Sequence, residues 1–358
     1  MKKLLLVLAA FSMVACGTSS DAGWKTNDLD YIPLEDSEEV FRFVNTEKGE
    51  EAFPGSFVYA TMYYDGYAIV DAFSDGYRFL DKNGEFRDET PFMDVTIFHD
   101  NIAWVVEVGG PLTAVNKKGE VLFELKQAEE ACAFHEGYAA FSNISGEWGL
   151  VDKTGRIVIE PRWTNVIPMV VRDRIVVKDG DSGWCLIDTE GRILSDYYAQ
   201  MGTKDYDEGF LQNYVQALQL DRIPVKLENG KWGIIDRNGA NIVNPQFDEI
   251  MLDGDHYLFR KGYLYGWCEK DGQYIINPQF SEASLFGDNK LAAVETKDGD
   301  WGYIDREGKW VINPQFCRAQ RFLPCGIAPV QDGGSREWGA LDETGKWVIN
   351  PQFRSIYD

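Results

Sequence analysis

Short apolar runs alternate with polar stretches rich in Gly, Asp and Asn along most of the chain, and none is long enough for an amphipathic helix. Three kinds of run recur in a fixed order. The first is typified by Leu291-Ala292-Ala293-Val294, with Tyr138-Ala139-Ala140-Phe141 and Ile102-Ala103-Trp104-Val105 as relatives. The second is Trp301-Gly302-Tyr303-Ile304-Asp305, and the third is Trp310-Val311-Ile312 followed by Asn313-Pro314. Each reads as a β-strand, and three strands of about six residues with their connections use up about 36 residues. The period is accounted for without a helix.

Four segments end identically, at Asn244-Pro245-Gln246-Phe247, Asn277-Pro278-Gln279-Phe280, Asn313-Pro314-Gln315-Phe316 and Asn350-Pro351-Gln352-Phe353. Aligning the Trp-Gly element puts its first residue at Tyr77, Leu112, Trp148, Trp184, Trp232, Tyr265, Trp301 and Trp338, at intervals of 35, 36, 36, 48, 33, 36 and 37. A near-constant period of this size marks a repeat architecture, whose units stack to bury a continuous core. The fold class expected is all-β: tandem three-stranded antiparallel units in a propeller-like ring, with an open twisted β-solenoid as the alternative.

Every unit carries a glycine between its second and third strands: Gly84, Gly119, Gly155, Gly191, Gly239, Gly272, Gly308 and Gly345. Three residues earlier stands Asp81, Asn116, Asp152, Asp188, Asp236, Glu269, Asp305 or Asp342. Asp or Asn at the first position of a type I turn accepts local N–H groups, and glycine takes the positive φ that follows. These regularly spaced acids are therefore expected to make hairpins rather than to bind calcium or catalyse. Within the second strand, Trp301 and Tyr303 fall on one face, with Gly302 and Ile304 on the other. Glycine there suggests close approach by a neighbouring backbone or ring, and the tryptophans are expected to pack between units. Proline after the third strand is expected to end its pairing, because it offers no N–H.

The repeats are uneven. The interval of 48 holds an insertion near residues 195–216 with Tyr197, Tyr198, Tyr206, Phe210 and Tyr214, a candidate ligand-binding insert because loops added to one repeat often carry binding. A degenerate cap is expected over residues 41–62, beginning at Phe41-Arg42-Phe43-Val44-Asn45, before the eight-unit array of residues 63–358.

The Trp-Gly-x-Ile-Asp-x-x-Gly and Asn-Pro-Gln-Phe elements resemble the WG-repeat family of bacterial proteins. The signature is clearest at Trp148-Gly149, Trp232-Gly233, Trp301-Gly302 and Trp338-Gly339, and departs from the pattern at Tyr77, Leu112, Trp184-Cys185 and Tyr265. The resemblance implies a β-repeat module with no common chemistry, and it brings no functional residues with it.

The N-terminus adds a location. Lys2 and Lys3, an apolar run from Leu4 to Phe11, and Met13-Val14-Ala15 directly before Cys16 read as a lipoprotein signal over residues 1–15. Cys16 would carry a diacylglycerol, and residues 16–40 would form an acidic tether from the membrane. The chain is then expected to be extracytoplasmic and lipid-anchored to a bacterial membrane, two or more acyl chains being enough for stable anchoring. A net charge of −23 repels phosphate backbones, so nucleic acid is set aside as a partner. Beyond Cys16 stand Cys132, Cys185, Cys268, Cys317 and Cys325, an odd number. Cys185 and Cys268 lie inside predicted strands as small apolar residues, and Cys317 and Cys325 are candidates for approach across a loop.

Candidate chemistry is sparse. His99-Asp100 and His135-Glu136 occupy equivalent offsets in adjacent units, but no H-E-x-x-H or close histidine pair supports a metal site. No nucleophile elbow and no phosphate-binding glycine loop occurs. A glycan hydrolase needs a placed pair of carboxylates, and Glu228 and Glu282 are the only acids outside the repeat rule worth naming. The sequence thus points to a non-catalytic, cofactor-free scaffold that binds a protein or a cell-wall or surface glycan, with a glycan-active hydrolase of the envelope as the alternative.

Overall fold

The computed structural model describes residues 30–36, 40–202, 217–287 and 289–356. The chain is all-β and forms antiparallel sheets one after another. It divides into two compact units, one of residues 1–197 with 207–220, the other of residues 198–206 with 221–358.

In the first unit a sheet of Tyr31–Glu35, Phe41–Asn45 and Glu50–Glu51 precedes the repeats. Phe41 bridges Phe57, a pairing like that of the signature Trp with the motif Phe in later repeats but one residue longer. Within the acidic stretch expected to be a tether up to residue 40, Tyr31–Glu35 form a strand that pairs along Phe41–Asn45. Repeat sheets follow over residues 59–80, 94–125, 128–163 and 165–188. The second unit holds four-stranded sheets over residues 200–247 and 249–280. Its last sheet has seven strands over residues 282–353, because Trp310–Ala319 runs on to pair with Ile327–Asp332 as well as Trp301–Ile304.

The repeats are antiparallel sheets of three or four strands, the fourth, where present, being a short strand such as Asp94–Val95 or Gln200–Met201 that opens the meander. One expectation is corrected. Proline does not end the third strand: Asn241–Phe247, Tyr274–Phe280, Trp310–Ala319 and Trp347–Phe353 all run through their Asn-Pro-Gln-Phe segment. Pairing holds at Trp232 with Phe247 and at Ile234 with Val243, and residues 244–246 bulge outward between them. The bulge needs no ladder N–H from Pro245, which is where a strand tolerates proline.

That bulge explains the signature glycine. A side chain at Gly233 would place its Cβ 2.5 Å from the Val243 carbonyl oxygen and 2.8 Å from the Pro245 nitrogen, with the same geometry at Gly149, Gly302 and Gly339. The turn reading also holds. Asp305 Oδ1 accepts the N–H groups of Glu307 at 3.1 Å and Lys309 at 2.8 Å, and Gly308 has φ of +80°. Asn116 does the same work for Lys118 and Glu120. At Asp152, burial alone would raise the carboxyl's pKa, but hydrogen bonds from Thr154 and Arg156 outweigh it and hold the group at about 2.

The hydrophobic core is a series of layers, each shared by consecutive repeats. One joins Ile69 and Phe79 to Val105 and Val115; another joins Leu150 and Trp163 to Val177 and Ile187; in the second unit, Tyr303 and Ile312 meet Phe322 and Val330. A repeat cannot bury its faces alone, so neighbours stabilise one another.

Candidate functional site

The signature tryptophans are placed by pairing across strands. Trp148 lies opposite Trp163, Trp232 opposite Phe247, Trp301 opposite Phe316 and Trp338 opposite Phe353. Trp184, Trp232 and Trp338 are buried, while Trp148 and Trp301 are half-buried against the core. Trp301 donates its indole N–H to Glu295 Oε1 at 3.1 Å. Their burial marks them as packing residues.

The histidine pair likewise belongs to the packing between repeats. The His99 and His135 rings stack with centroids 5.1 Å apart, and His135 Nδ1 meets the Val170 carbonyl of the following repeat. Asp100 Oδ2 accepts the Gly137 N–H at 2.6 Å, and Glu136 Oε2 accepts the Arg172 N–H at 2.7 Å. Each acid after a histidine thus ties its turn to the turn of the next repeat. Burial, followed by the His99 charge, holds His135 below the usual histidine range. Among the described residues, no group of three or more His, Cys, Asp or Glu is arranged to hold a metal ion. Glu228 and Glu282 are exposed. Cys132, Cys185, Cys268, Cys317 and Cys325 are free thiols, so Cys317 and Cys325 are not joined.

The repeat that holds the insertion creates the candidate site. Cys185 stands where Gly149, Gly233, Gly266, Gly302 and Gly339 stand in other repeats, as Arg78 and Thr113 do in the early ones, and its sheet has three strands, Asn165–Val166, Arg174–Lys178 and Trp184–Asp188. Among the described residues no bulged outer strand presses on position 185, so a side chain fits there. The chain beyond makes an isolated bridge from Ile193 to Ile187, and Leu186 donates its N–H to Ser195 Oγ at 2.9 Å. It then reaches Tyr197, whose hydroxyl donates to Asp179 Oδ2 at 2.9 Å. That hydrogen bond raises the Tyr197 phenol, and burial pushes the Cys185 thiol up to about 12. Nearby, the Arg162 guanidinium lies 4.2 Å over the Trp163 ring. The buried Trp163 indole nitrogen has no hydrogen-bond partner among the described residues.

The result is a cluster of Arg162, Trp163, Asp179 and Tyr197 at the entry to the insertion, joining an exposed aromatic edge to one cation and one carboxylate. Such a set can bind by stacking and charge-assisted hydrogen bonds. Of the insert residues expected to bind, Tyr197 joins this cluster and Tyr198 is buried; Tyr206, Phe210 and Tyr214 lie outside the described residues, as does Cys16. Arg162, Trp163 and Asp179 were not legible as partners of the insert, although Cys185 in the glycine position marks the repeat that differs.

Five segments, residues 148–181, 232–265, 265–299, 301–335 and 338–358, match the family model described as WG containing repeat. A search of the curated proteins by sequence found no match. Among solved structures, a eukaryotic initiation factor is 10% identical with a TM-score of 0.46, covering 92% of this chain and 97% of that one. The computationally designed Ika8 protein is 11% identical with a TM-score of 0.35, covering 84% and 97%. BamB from Moraxella catarrhalis is 12% identical with a TM-score of 0.35, covering 76% and 92%. Likenesses at this level imply no shared ligand.

Proposed function

We propose that this WG-repeat protein, five of whose repeats match the family model, is a non-catalytic binding scaffold of the bacterial cell envelope, anchored by lipid at Cys16. A repeat β-fold of this kind suggests a scaffold or binding role. The observation that carries the finer reading is the repeat at Trp184, which alone combines a replaced signature glycine, a missing outer strand and an inserted segment. Repeats that keep the rule spend their signature residues on turns and packing; this one sets the Tyr197–Asp179 pair and Arg162 at the start of the insertion, where a ligand can reach them. Aromatic, carboxylate and guanidinium groups together suit a cell-wall or surface glycan, or a polar protein loop.

Binding of residues 17–358 to isolated cell-wall glycan and to envelope protein fractions tests the site. Arg162→Ala with Tyr197→Ala should abolish the interaction while unfolding at the same temperature. Binding left unchanged by the pair would move recognition to the repeat faces. Turnover of a glycan by the purified protein, lost on substitution of one carboxylate, would replace the scaffold reading with the hydrolase one. The anchor is tested separately: Cys16→Ala should take up no radiolabelled palmitate, and label entering that variant would remove the lipid from the proposal.

A further inference from the structure

At several junctions inside the chain, though not at Gly119, the outer strand of one repeat lays an apolar side chain on the turn glycine of the next. Measured to where a Cβ would stand on that glycine, Phe123 comes within 2.6 Å at Gly155, Val243 within 2.6 Å at Gly272, Ile276 within 3.2 Å at Gly308 and Ile312 within 3.3 Å at Gly345. The motif phenylalanine on the same strand meets the ring two residues after that glycine, with Phe280 5.8 Å from Trp310 and Phe316 6.0 Å from Trp347. These contacts leave Ile276, Ile312, Phe280 and Phe316 between 3% and 4% exposed.

The outer strand Trp347–Phe353 carries the same two residues, but there Ile349 is 39% and Phe353 51% exposed. The complementary half of a junction is bare as well. The turn from Asn45 to Gly49 in the first sheet occupies the place of the later Asp-to-Gly turns and is one residue longer, with Asn45 Oδ1 accepting the Glu47 and Lys48 N–H groups and the Gly49 N–H donating to the Asn45 carbonyl. Gly49 has φ of +66° and nothing within 4 Å of its Cβ position among the described residues, whereas the equivalent Gly84 is covered by Phe53.

We propose that the Ile349 and Phe353 face docks the Asn45–Gly49 turn of a second copy of this chain, continuing between molecules the junction that the repeats use within one. The apolar side chains and the unobstructed glycine are the two halves of that junction. Charge favours the same pairing: exposed Lys346 and Arg354 flank the face, with Glu343 beside them held by Lys290, while Glu47 and Glu50 outnumber Lys48 on the turn and Glu51 pairs with Arg42. The two surfaces differ, so the contact is heterologous and adds copies head to tail, into a ring or a filament. Glu51 stands where the inner junctions carry an aromatic ring, so the association is weaker than those junctions and reversible.

Sedimentation velocity of the full chain in detergent over a wide concentration range should show mass growing beyond one copy. Phe353→Glu should weaken the association at least about tenfold, and an unchanged unfolding temperature shows that the strand pairing of Phe353 with Trp338 survives the change. In a Cys325→Ser background, a Lys48→Cys protein mixed with an Ile349→Cys protein should form a disulfide between copies. A single sedimenting mass at every concentration, association unaffected by Phe353→Glu, or a disulfide formed only within a chain carrying both cysteines would each overturn the proposal.

Discussion

Gly302 lies beneath the bulge that Pro314 makes in the neighbouring strand: a Cβ on Gly302 would stand 2.8 Å from the Pro314 nitrogen and 2.6 Å from the Ile312 carbonyl oxygen. Two motif elements separated in sequence are therefore halves of one contact. The glycine allows the bulge, and the bulge removes the need for a proline N–H. Gly302→Ala is expected to destabilise the protein by about 2 kcal/mol or more, because both opposing atoms are backbone and cannot give way. At Cys185 no bulge opposes the side chain, so Cys185→Ala is expected to cost about 1 kcal/mol or less. Urea unfolding of both variants checks the contrast, and equal costs would show that the bulge is not what selects glycine.

The turns make a second expectation. Gly308→Val should destabilise by more than about 1 kcal/mol, since a β-branched residue resists a φ of +80°. Asp305→Asn should fall within about 0.5 kcal/mol of the parent, because an amide oxygen can accept the same two N–H groups, as Asn116 does in its own repeat. Thermal unfolding of the pair distinguishes backbone strain from loss of the carboxylate charge.

A buried carboxylate supplies a third. Asp253 is 1% exposed and accepts the Trp267 indole N–H at 2.8 Å, the Phe286 N–H at 3.0 Å and the Gly287 N–H at 2.8 Å, joining one repeat to the next. Asp253→Ala strands two buried donors, the Trp267 indole and the Phe286 N–H, and a part-buried one at Gly287, and should cost about 3 kcal/mol. Hydrogen exchange at Phe286 and Gly287 should rise in step with the loss of stability; unchanged protection would mean that other groups hold these amides.

His135 gives a dependence on pH. Its native pKa is lowered, by burial first, so the unfolded chain binds a proton more readily than the folded one. The stability this group contributes is complete above the unfolded value of about 6.5 and is lost as pH falls through that value toward the lowered native one. The urea midpoint should therefore decline between about pH 7 and about pH 5. His135→Gln should flatten that decline; a slope identical to the parent's would assign the effect to other groups.

How much of this was legible follows from the range over which each interaction acts. The period, the hairpin turns and the all-β class are local: Asp305 with Gly308, or alternation along Trp301-Gly302-Tyr303-Ile304, involves residues close in sequence whose spacing and conformational preferences are written in their types. The unusual repeat was visible too, as a long interval and a cysteine in the glycine position at 185. Other features depended on what lies opposite. Pro314 looked like a strand end until Gly302 was seen to receive its bulge. The short opening strand lacks a sequence pattern because only two to five residues pair. His99-Asp100 and His135-Glu136 carry ligand-type side chains, but His99 meets Asp100, and the partners of His135, Asp100 and Glu136 in the next repeat are a carbonyl and backbone amides, groups every residue carries. The same holds at the candidate site, where Arg162, Trp163 and Asp179 meet the start of the insertion from different strands. Side-chain chemistry and local turns are fixed by the sequence itself; which groups stand opposite one another is decided only when successive repeats stack and exclude water from the layer between them.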